Sequence, residues 1–211
     1  VPSYFIRLNG CNLRCEWTNQ DGSKTKCDTP YTSWEPEGKE VDLDDILKNI
    51  PEQCKHIVIT GGEPFIDSNI EGLTESLIGY YQTIETNGTI YRQNYADFIS
   101  LSPKLKSSIP KGKFERMHNE NRLNYDSLKK FMENHNYQFK FVVNDKDDLN
   151  EILKIQERLD IPSDKIYLMA QGITTPQLKS RQFIIQDIAK KKGMNITDRL
   201  HIRLYGNRRA I

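Results

Sequence analysis

The sequence predicts an α/β fold built around a mainly parallel sheet. Segments with strand-like and helix-like patterns alternate about six times, at the spacing of right-handed βαβ units. The run 56–60 is almost wholly apolar, which is typical of a strand buried on both faces of a parallel sheet. Polar or glycine-rich residues follow several predicted strands, and ligand sites in such sheets form beyond the carboxyl ends of strands. We therefore expect one ligand site at that edge.

The first half of the chain supplies four of the predicted strands. Asn9-Gly10 ends the first strand with a turn signal, and Asp42 precedes helical apolar spacing as a capping acid. Strands are predicted at 4–8, 56–60, 82–86 and 98–101, and helices at about 41–47, 70–80 and 91–97.

The second half begins with a polar stretch at 107–124, which we expect to be an irregular insertion. Thr175-Pro176 starts the last long helix and Gly193 ends it, as a cap and a proline in the first turn predict. Helices are also predicted at 125–132 and 149–159, and strands at 138–143, 165–170 and a last one carrying His201.

Composition limits the function classes. The 30 Lys and Arg nearly balance the 29 Asp and Glu, so the net charge of +1 gives no field toward nucleic acid or a membrane. No apolar run approaches the roughly 20 residues that span a bilayer. We expect a small-molecule partner, no nucleic-acid or membrane partner, a single domain over 1–211 and a cytoplasmic location, although the chain starts at Val1 without a methionine.

Three of the four cysteines lie close together in a loop at about 9–40. Cys11, Cys15 and Cys27 have the spacing C-x3-C-x11-C, and Asp21-Gly22 predicts a surface excursion or small hairpin between the last two. Structural zinc usually takes four ligands, and the nearest further donors are Cys54 and His56. Three thiolates on a cubane cluster leave one iron open for a small molecule. Both kinds of site remain open on spacing alone.

A set of motifs extends over nearly the whole chain. They are Phe5-Ile6-Arg7-Leu8-x-Gly10-Cys11-Asn12-Leu13-x-Cys15-x-Trp17, Cys27-Asp28-Thr29, Thr60-Gly61-Gly62-Glu63-Pro64, Glu85-Thr86-Asn87-Gly88-Thr89, Ser102-Pro103-Lys104 and the tail Arg199-Leu200-His201-Ile202-x-Leu204-Tyr205-Gly206-Asn207-x-Arg209. In these motifs the chain resembles radical S-adenosylmethionine enzymes, and within them the 7-carboxy-7-deazaguanine synthase family of queuosine and 7-deazapurine biosynthesis.

Two features depart from the usual pattern. Thr18 stands where the common C-x3-C-x2-C motif has its third cysteine, and Cys27 follows after a nine-residue insertion. The family also has a substrate loop before the first strand, and this chain begins after that loop. We therefore keep Cys27 as the third ligand and assign no substrate contacts before Val1.

The resemblance implies a 4Fe-4S cluster held by Cys11, Cys15 and Cys27, with S-adenosylmethionine on its fourth iron. Glycine at position 62 is expected because a Cβ would block the close approach of the methionyl ammonium. The residues implied to bind S-adenosylmethionine are Gly62, Glu63, Ser102, Pro103, Lys104 and Gln171.

The resemblance also implies a pterin substrate and a magnesium ion. Thr29 would ligate Mg²⁺, which commonly keeps waters and takes oxygens from substrate. Arg7, Thr29 and Glu85 also fit structural roles, as a strand residue, a helix cap and a buried acid. No catalytic side chain is implied beyond the radical chemistry of the cofactors. The implied substrate contacts are Arg7, Thr60, Glu85, His201 and Ile211.

The activity implied is conversion of 6-carboxy-5,6,7,8-tetrahydropterin to 7-carboxy-7-deazaguanine with loss of ammonia. The implied fold is a partial, open (β/α)6-type barrel in a homodimer, reduced by a transient electron donor such as flavodoxin. We also expect the basic segment 107–124 to dock a reductant or cover the site. Two alternatives are another radical S-adenosylmethionine enzyme, such as a glycyl-radical activase, and a non-enzymatic metal module completed by Cys54.

Overall fold

The structure is a computed structural model that describes residues 1–19 and 21–208. The strands are β1 (Tyr4–Leu8), β2 (Glu16–Thr18), β3 (Lys24–Lys26), β4 (His56–Gly61), β5 (Tyr81–Thr86), β6 (Phe98–Leu101), β7 (Asn136–Val143), β8 (Ile166–Ala170) and β9 (Asn195–Thr197). The α-helices are α1 (Leu43–Lys48), α2 (Ile70–Ser76), α3 (Glu115–Asn121), α4 (Tyr125–Asn134), α5 (Lys146–Leu159), α6 (Thr175–Lys192) and α7 (Leu200–Tyr205).

The main sheet has seven strands in the order β1-β4-β5-β6-β7-β8-β9. The pairs β1·β4, β4·β5, β5·β6, β7·β8 and β8·β9 are all parallel. Strands β1 and β9 are its two edges, so the sheet is open. Strands β2 and β3 form a separate antiparallel pair. The predicted α/β fold with an open, mainly parallel sheet is confirmed.

The chain divides into two compact units, each assembled from three separate stretches. Unit 1 comprises Val1–Leu13, Thr29–Leu101 and Leu123–Tyr137. Unit 2 comprises Arg14–Asp28, Ser102–Arg122 and the chain from Gln138 onward. A single domain over 1–211 stays a prediction.

In unit 1 the two faces of the sheet differ in character. Ile59, Ile84 and Ile99 lie opposite one another in the parallel register, and all three are fully buried. Side chains alternate between faces along a strand, so the neighbouring residues Thr60 and Glu85 lie on the opposite face. One face therefore belongs to the apolar core, and the other carries polar side chains.

The last long helix begins and ends as the sequence predicts. The Thr174 hydroxyl accepts a hydrogen bond from the Gln177 N–H, so the cap lies one residue before the predicted start. Gly193 ends α6 in the left-handed region, with φ 68°, where a residue without Cβ is least strained.

The helix predicted at 91–97 is wrong, since these residues, all described, form an irregular segment. The Asn94 side chain accepts a hydrogen bond from the Ala96 N–H, and the Asp97 carboxylate accepts one from the Gln82 N–H. Such local side-chain bonds give the backbone an alternative to the helical ladder.

The prediction that 107–124 is irregular throughout is also wrong, because α3 lies within it. The buried residues His118 and Arg122 are four residues apart, one helical turn, and face inward. Because these buried residues are polar, the segment lacks the apolar periodicity that predicts a helix.

His201 lies on α7 rather than on a strand, and its side chain is exposed. The last strand, β9, ends four residues earlier. Within residues 1–19 and 21–208, every helix is too short or too polar to cross a bilayer.

Candidate functional site

The start of the cysteine loop is fastened to the end of β4 within unit 1. The Gly62 N–H donates to the Leu8 carbonyl at 3.1 Å, and the Glu63 N–H donates to the Gly10 carbonyl at 2.9 Å. A Cβ on Gly62 would lie 1.8 Å from the Gly10 oxygen. Glycine is therefore required here by the protein's own backbone, which is a different reason from the expected approach of a ligand.

The carboxylate of Glu63 joins the ends of β4 and β5. It is 0% exposed and accepts hydrogen bonds from the Phe65 N–H at 3.0 Å, the Thr86 hydroxyl at 2.6 Å and the Asn87 N–H at 2.6 Å. Burial of a carboxylate is tolerated only with such partners. The carboxylate of Glu63 is bonded within the protein, so the predicted contact of Glu63 with the cofactor would be made by its backbone.

A side-chain network holds the loop between the first two cysteines. The Asn12 amide donates to the Thr89 hydroxyl at 2.8 Å, and the Asn87 amide donates to Asn12 Oδ1 at 3.0 Å. The Asn124 amide donates to the Thr89 carbonyl at 3.0 Å. Sequence reasoning read Asn87 as part of a strand-end motif and gave no role to Asn12 or Asn124. The motif's position after a strand was the available signal.

The interval between Cys15 and Cys27 is the predicted hairpin. Glu16 pairs with Lys26 across β2 and β3, and the Cys27 N–H donates to the Cys15 carbonyl at 3.2 Å. Residues that face each other in an antiparallel pair have Cα atoms about 4.5–5.5 Å apart. Two cysteines separated by eleven residues are thereby neighbours at the base of the hairpin.

The three cysteines carry sulfur ligands of the kind that hold iron–sulfur clusters. Cys11, Cys15 and Cys27 are present as thiols, and the Leu13 N–H lies 3.4 Å from the Cys11 sulfur, a contact that tunes thiolate ligands of iron–sulfur clusters. Among residues 1–19 and 21–208, no three His, Cys, Asp or Glu side chains are arranged to hold a metal ion. The assignment of these three cysteines as cluster ligands stays a prediction.

The predicted substrate contacts of unit 1 form a polar row on one face of the sheet. Arg7 lies opposite Thr60 in the β1·β4 register, and the Thr60 hydroxyl donates to Glu85 Oε2 at 3.0 Å. Ser100 lies opposite Glu85 and extends the row. The structure brings Arg7, Thr60 and Glu85 together, and it adds Ser100, which the polar position within the run Phe98–Leu101 could have indicated.

Thr29, the predicted magnesium ligand, precedes the 3-10 helix Pro30–Thr32 in unit 1. Its carbonyl accepts hydrogen bonds from the Thr32 hydroxyl at 2.9 Å and the Thr32 N–H at 3.1 Å. Thr29 occupies the N-cap position of this described helix, and its side chain makes no capping hydrogen bond. The alternative role as a helix cap is therefore confirmed for its position and carbonyl but not for its side chain.

The Ser102-Pro103-Lys104 motif lies in unit 2 and is braced by a buried ion pair. The Lys104 ammonium donates to the Ser102 hydroxyl at 2.9 Å, and Arg122 donates to the Lys104 carbonyl at 2.9 Å. The same guanidinium contacts Glu151 at 2.7 Å, with both side chains largely buried. Arg122 and Glu151 were missed because no local sequence pattern relates two residues that are 29 positions apart.

Gln171 follows β8 and is only 2% exposed. Its N–H donates to the Val143 carbonyl at 2.8 Å, and its carbonyl accepts a hydrogen bond from Arg181 at 3.2 Å. Within the part of the chain that the structure describes, its side-chain Oε1 has no hydrogen-bond partner. A buried oxygen of this kind normally has one. Gln171 therefore fits a site that a polar ligand completes.

Asp28 of the Cys27-Asp28-Thr29 motif sits among cations of unit 2. Its carboxylate accepts a hydrogen bond from Arg199 at 2.7 Å. Burial acts to raise the pKa of Asp28, but the positive charges of Arg199, Lys104, His201 and Lys140 together bring that pKa below its ordinary value. Asp28 is thus held ionised beside the third predicted cluster cysteine.

His118 of α3 fixes the cysteine loop at a second point. It is fully buried, and its Nδ1 accepts a hydrogen bond from the Arg14 N–H at 3.2 Å, next to Cys15. Its Nε2 lies 3.3 Å from the Ser108 hydroxyl. Burial, with smaller effects from Lys104 and other groups, lowers the pKa of His118 to about 4, so the ring is neutral at pH 7.

Two residues named in the sequence analysis remain to be placed, Ile211 and Cys54. Ile211, a predicted substrate contact, lies outside the described residues. Cys54 lies in unit 1, where its thiol donates to the His56 carbonyl at 3.2 Å.

Comparison with known proteins identifies the family. A family model described as "4Fe-4S single cluster domain" matches residues 3–131, more than half of the chain. The 7-carboxy-7-deazaguanine synthase of Rhodopirellula baltica is 41% identical over 218 residues, covering 100% of this chain and 81% of that protein. The chain belongs to the 7-carboxy-7-deazaguanine synthase family. The synthase of Halobacterium salinarum is 34% identical, covering 98% of this chain and 84% of that protein.

Solved structures support the fold of this synthase family member. A crystal structure of Streptococcus suis SuiB bound to S-adenosylmethionine matches with a TM-score of 0.61 and 14% identity, over 96% of this chain and 52% of that one. SuiB bound to its precursor peptide SuiA matches with a TM-score of 0.60. At this identity the likeness concerns the fold alone.

Family membership decides among the functions that the sequence left open. The chain is a radical S-adenosylmethionine enzyme of the synthase family, with a 4Fe-4S cluster domain, rather than a non-enzymatic metal module. The relatives that carry this name come from several distant organisms, and three of them align with at least 98% of the chain at 31% identity or more.

Proposed function

We propose that this chain converts 6-carboxy-5,6,7,8-tetrahydropterin to 7-carboxy-7-deazaguanine, with loss of ammonia. The observation that carries the proposal is the 41% identity to a curated synthase over the whole chain. Substrate and product differ by one ammonia, so the reaction balances without a net oxidant or reductant.

The cofactor contacts come from both strand ends and loops. Cys11, Cys15 and Cys27 hold the 4Fe-4S cluster in this proposal. Gln171 Oε1, which has no hydrogen-bond partner among residues 1–19 and 21–208, supports a bound polar ligand. When bound, the cluster and S-adenosylmethionine supply a 5'-deoxyadenosyl radical that takes hydrogen from the substrate. The residues that contact S-adenosylmethionine are Gly62, Glu63, Ser102, Pro103, Lys104 and Gln171.

The polar row of unit 1 binds the pterin. The guanidinium of the exposed Arg7 suits the substrate carboxylate, which it can bind through two hydrogen bonds. Glu85 is oriented by the Thr60 hydroxyl, and its carboxylate accepts N–H groups of the pterin ring. His201 and Ile211 complete the proposed substrate contacts.

Thr29 binds Mg²⁺ through its hydroxyl, with waters and substrate oxygens as the other ligands. The support for this role is that the hydroxyl is not used to cap the following helix. Removal of Mg²⁺ with a chelator should raise the substrate KM and leave cluster absorbance unchanged.

Assembly and reduction are further parts of the proposal. The enzyme acts as a homodimer in the cytoplasm and receives electrons from an acidic donor such as flavodoxin. Segment 107–124 carries Lys111, Lys113 and Arg116, which suit an acidic partner. Charge reversal of the three cations should slow cluster reduction by the donor but not by dithionite. An unchanged rate with the donor would remove this docking role.

The deciding experiment is anaerobic reconstitution followed by two assays. The expected result is 5'-deoxyadenosine formation that increases when the carboxypterin is added, together with 7-carboxy-7-deazaguanine detected by mass spectrometry. Cleavage of S-adenosylmethionine without any deazaguanine product would contradict the proposed substrate.

A further inference from the structure

Arg181 is a buried cation of unit 2 that the proposed chemistry does not use. It lies on α6 and is only 5% exposed. Its guanidinium donates to the Asn144 carbonyl at 3.2 Å and to Asn144 Oδ1 at 2.9 Å. It also donates to the Gln171 carbonyl at 3.2 Å and to Asn19 Oδ1 at 3.0 Å. These four acceptors are neutral amide oxygens.

One of these hydrogen bonds, to Asn19, reaches the cysteine hairpin, which consists of β2 and β3 with Cys15 and Cys27 at its base. Asn19 follows β2, and its amide donates to the Thr25 hydroxyl at 2.8 Å and the Ser23 hydroxyl at 3.0 Å. The Asn19 carbonyl accepts a hydrogen bond from the Gly22 N–H at 3.0 Å. Asn19 therefore closes the hairpin from inside and offers its remaining oxygen to Arg181.

Another of these hydrogen bonds reaches Gln171, whose side-chain oxygen has no hydrogen-bond partner within the described residues. Arg181 holds the carbonyl of this residue, while the Val143 carbonyl holds its N–H. The main chain of Gln171 is thus fixed at both polar groups, and its amide oxygen is left for a ligand.

Burial of a guanidinium is costly, and the cost is offset here by the four hydrogen bonds that Arg181 donates. Burial lowers the pKa of Arg181, although Asp145 acts in the opposite direction. The planar guanidinium has five donors and reaches all four acceptors at once, whereas lysine has only three donors and a hydrophobic residue has none. The geometry therefore favours a role in alignment.

We propose that Arg181 is a positioning residue that sets the cysteine hairpin and the Gln171 amide in one fixed arrangement for the cluster and its ligand. The inference rests on the proposed function. Through Asn19, the guanidinium holds the hairpin whose base carries Cys15 and Cys27. Through the main chain, it holds the residue that meets S-adenosylmethionine.

The test compares Arg181→Met, Arg181→Lys and Asn19→Ala with Lys179→Met, which removes an exposed cation from the same helix. Hydrogen exchange of the apoprotein should accelerate about tenfold or more in 16–27 for Arg181→Met and Asn19→Ala, and stay unchanged in β4 and β5. Lys179→Met should match the parent.

The second readout is the reconstituted protein. Arg181→Met should retain its iron but bind S-adenosylmethionine about tenfold more weakly, with a reduced change in the cluster's electron paramagnetic resonance spectrum when that ligand is added. Arg181→Lys should fall between Arg181→Met and the parent. Asn19→Ala provides the same test if Arg181→Met does not fold.

The outcomes separate the two proposals. If the parent takes up no cluster or does not bind S-adenosylmethionine, the proposed function fails. If the parent binds both and Arg181→Met and Asn19→Ala match Lys179→Met in exchange and ligand binding, the role of Arg181 is refuted. Uniform acceleration of exchange across unit 2 with unchanged ligand affinity would show a role in stability alone, and would also refute the inference.

Discussion

Buried polar side chains set the local geometry of the candidate site at the scale of single residues. Glu63 accepts three hydrogen bonds that join the ends of two strands, and Gly62 leaves room for the Gly10 carbonyl. His118 holds the backbone of the cysteine loop as a neutral acceptor. These contacts fix the backbone around the candidate site from inside the protein.

Substitution Glu63→Gln should destabilise the protein by about 2–3 kcal/mol, because an amide group replaces one acceptor oxygen and faces a buried donor. Urea unfolding of the apoprotein measures the change. The exposed Glu75→Gln is the matched control and should stay within about 0.5 kcal/mol of the parent. Equal stability of the two variants would contradict the structural role of Glu63.

The pKa of His118 makes stability depend on pH. Its folded pKa of about 4 lies below the ordinary histidine pKa of 6.5, so its contribution to stability is present above pH 6.5 and is lost as pH falls toward 4. Asp148 acts in the opposite sense, since burial raises its pKa to about 6 and its contribution is lost as pH rises through that value.

Comparison with His118→Gln isolates the histidine. Urea unfolding at pH 7 and pH 5 should show a larger loss at pH 5 for the parent than for the variant, by on the order of 1–2 kcal/mol. Asp148 is common to both proteins and cancels in the difference. The same loss in both would show that His118 titrates normally.

At the scale of elements, the β2–β3 hairpin explains how two predicted ligands separated by a long insertion, Cys15 and Cys27, become neighbours. Its antiparallel pairing places Cys27 across from Cys15, so the third predicted ligand arrives from the far strand of the hairpin. Cys54 instead belongs to the segment before β4 and donates to a carbonyl.

Single substitutions test this arrangement through the iron and sulfide content after anaerobic reconstitution. Cys27→Ala should lose most of the cluster, because only two of the three thiolates that hold it would remain. Cys54→Ala and Thr18→Ala should keep it. A loss in Cys54→Ala as severe as that in Cys27→Ala would contradict the three-cysteine ligand set.

At the scale of the whole molecule, the parallel register of the sheet places Arg7 opposite Thr60 and Glu85 opposite Ser100. Large apolar side chains also remain on the surface of unit 2, among them Phe183, Leu200 and Leu204, which are 66%, 61% and 61% exposed. Exposed apolar surface is evidence for a partner where it is contiguous. Leu200 and Leu204 are one helical turn apart on α7, so they form a small apolar surface that supports the proposed homodimer.

Light scattering coupled to size-exclusion chromatography should give a mass about twice the 24.6 kDa of one chain. Leu204→Glu should shift the mass toward the monomer if α7 lies in the interface, whereas Val41→Glu, at another exposed apolar residue, should not. A parent protein that stays monomeric at micromolar concentration would contradict the homodimer.

The sequence by itself determined the sheet class, most strand positions and the motifs at the strand ends, because apolar periodicity and turn residues are local signals. Only the tertiary structure decided that Glu63 is a buried organising group and that α3 presents His118 to the cysteine loop. It also decided that Arg181 joins Asn19 to Gln171 across 162 and 10 residues of sequence. Such contacts depend on which distant segments pack together, and no local pattern encodes them.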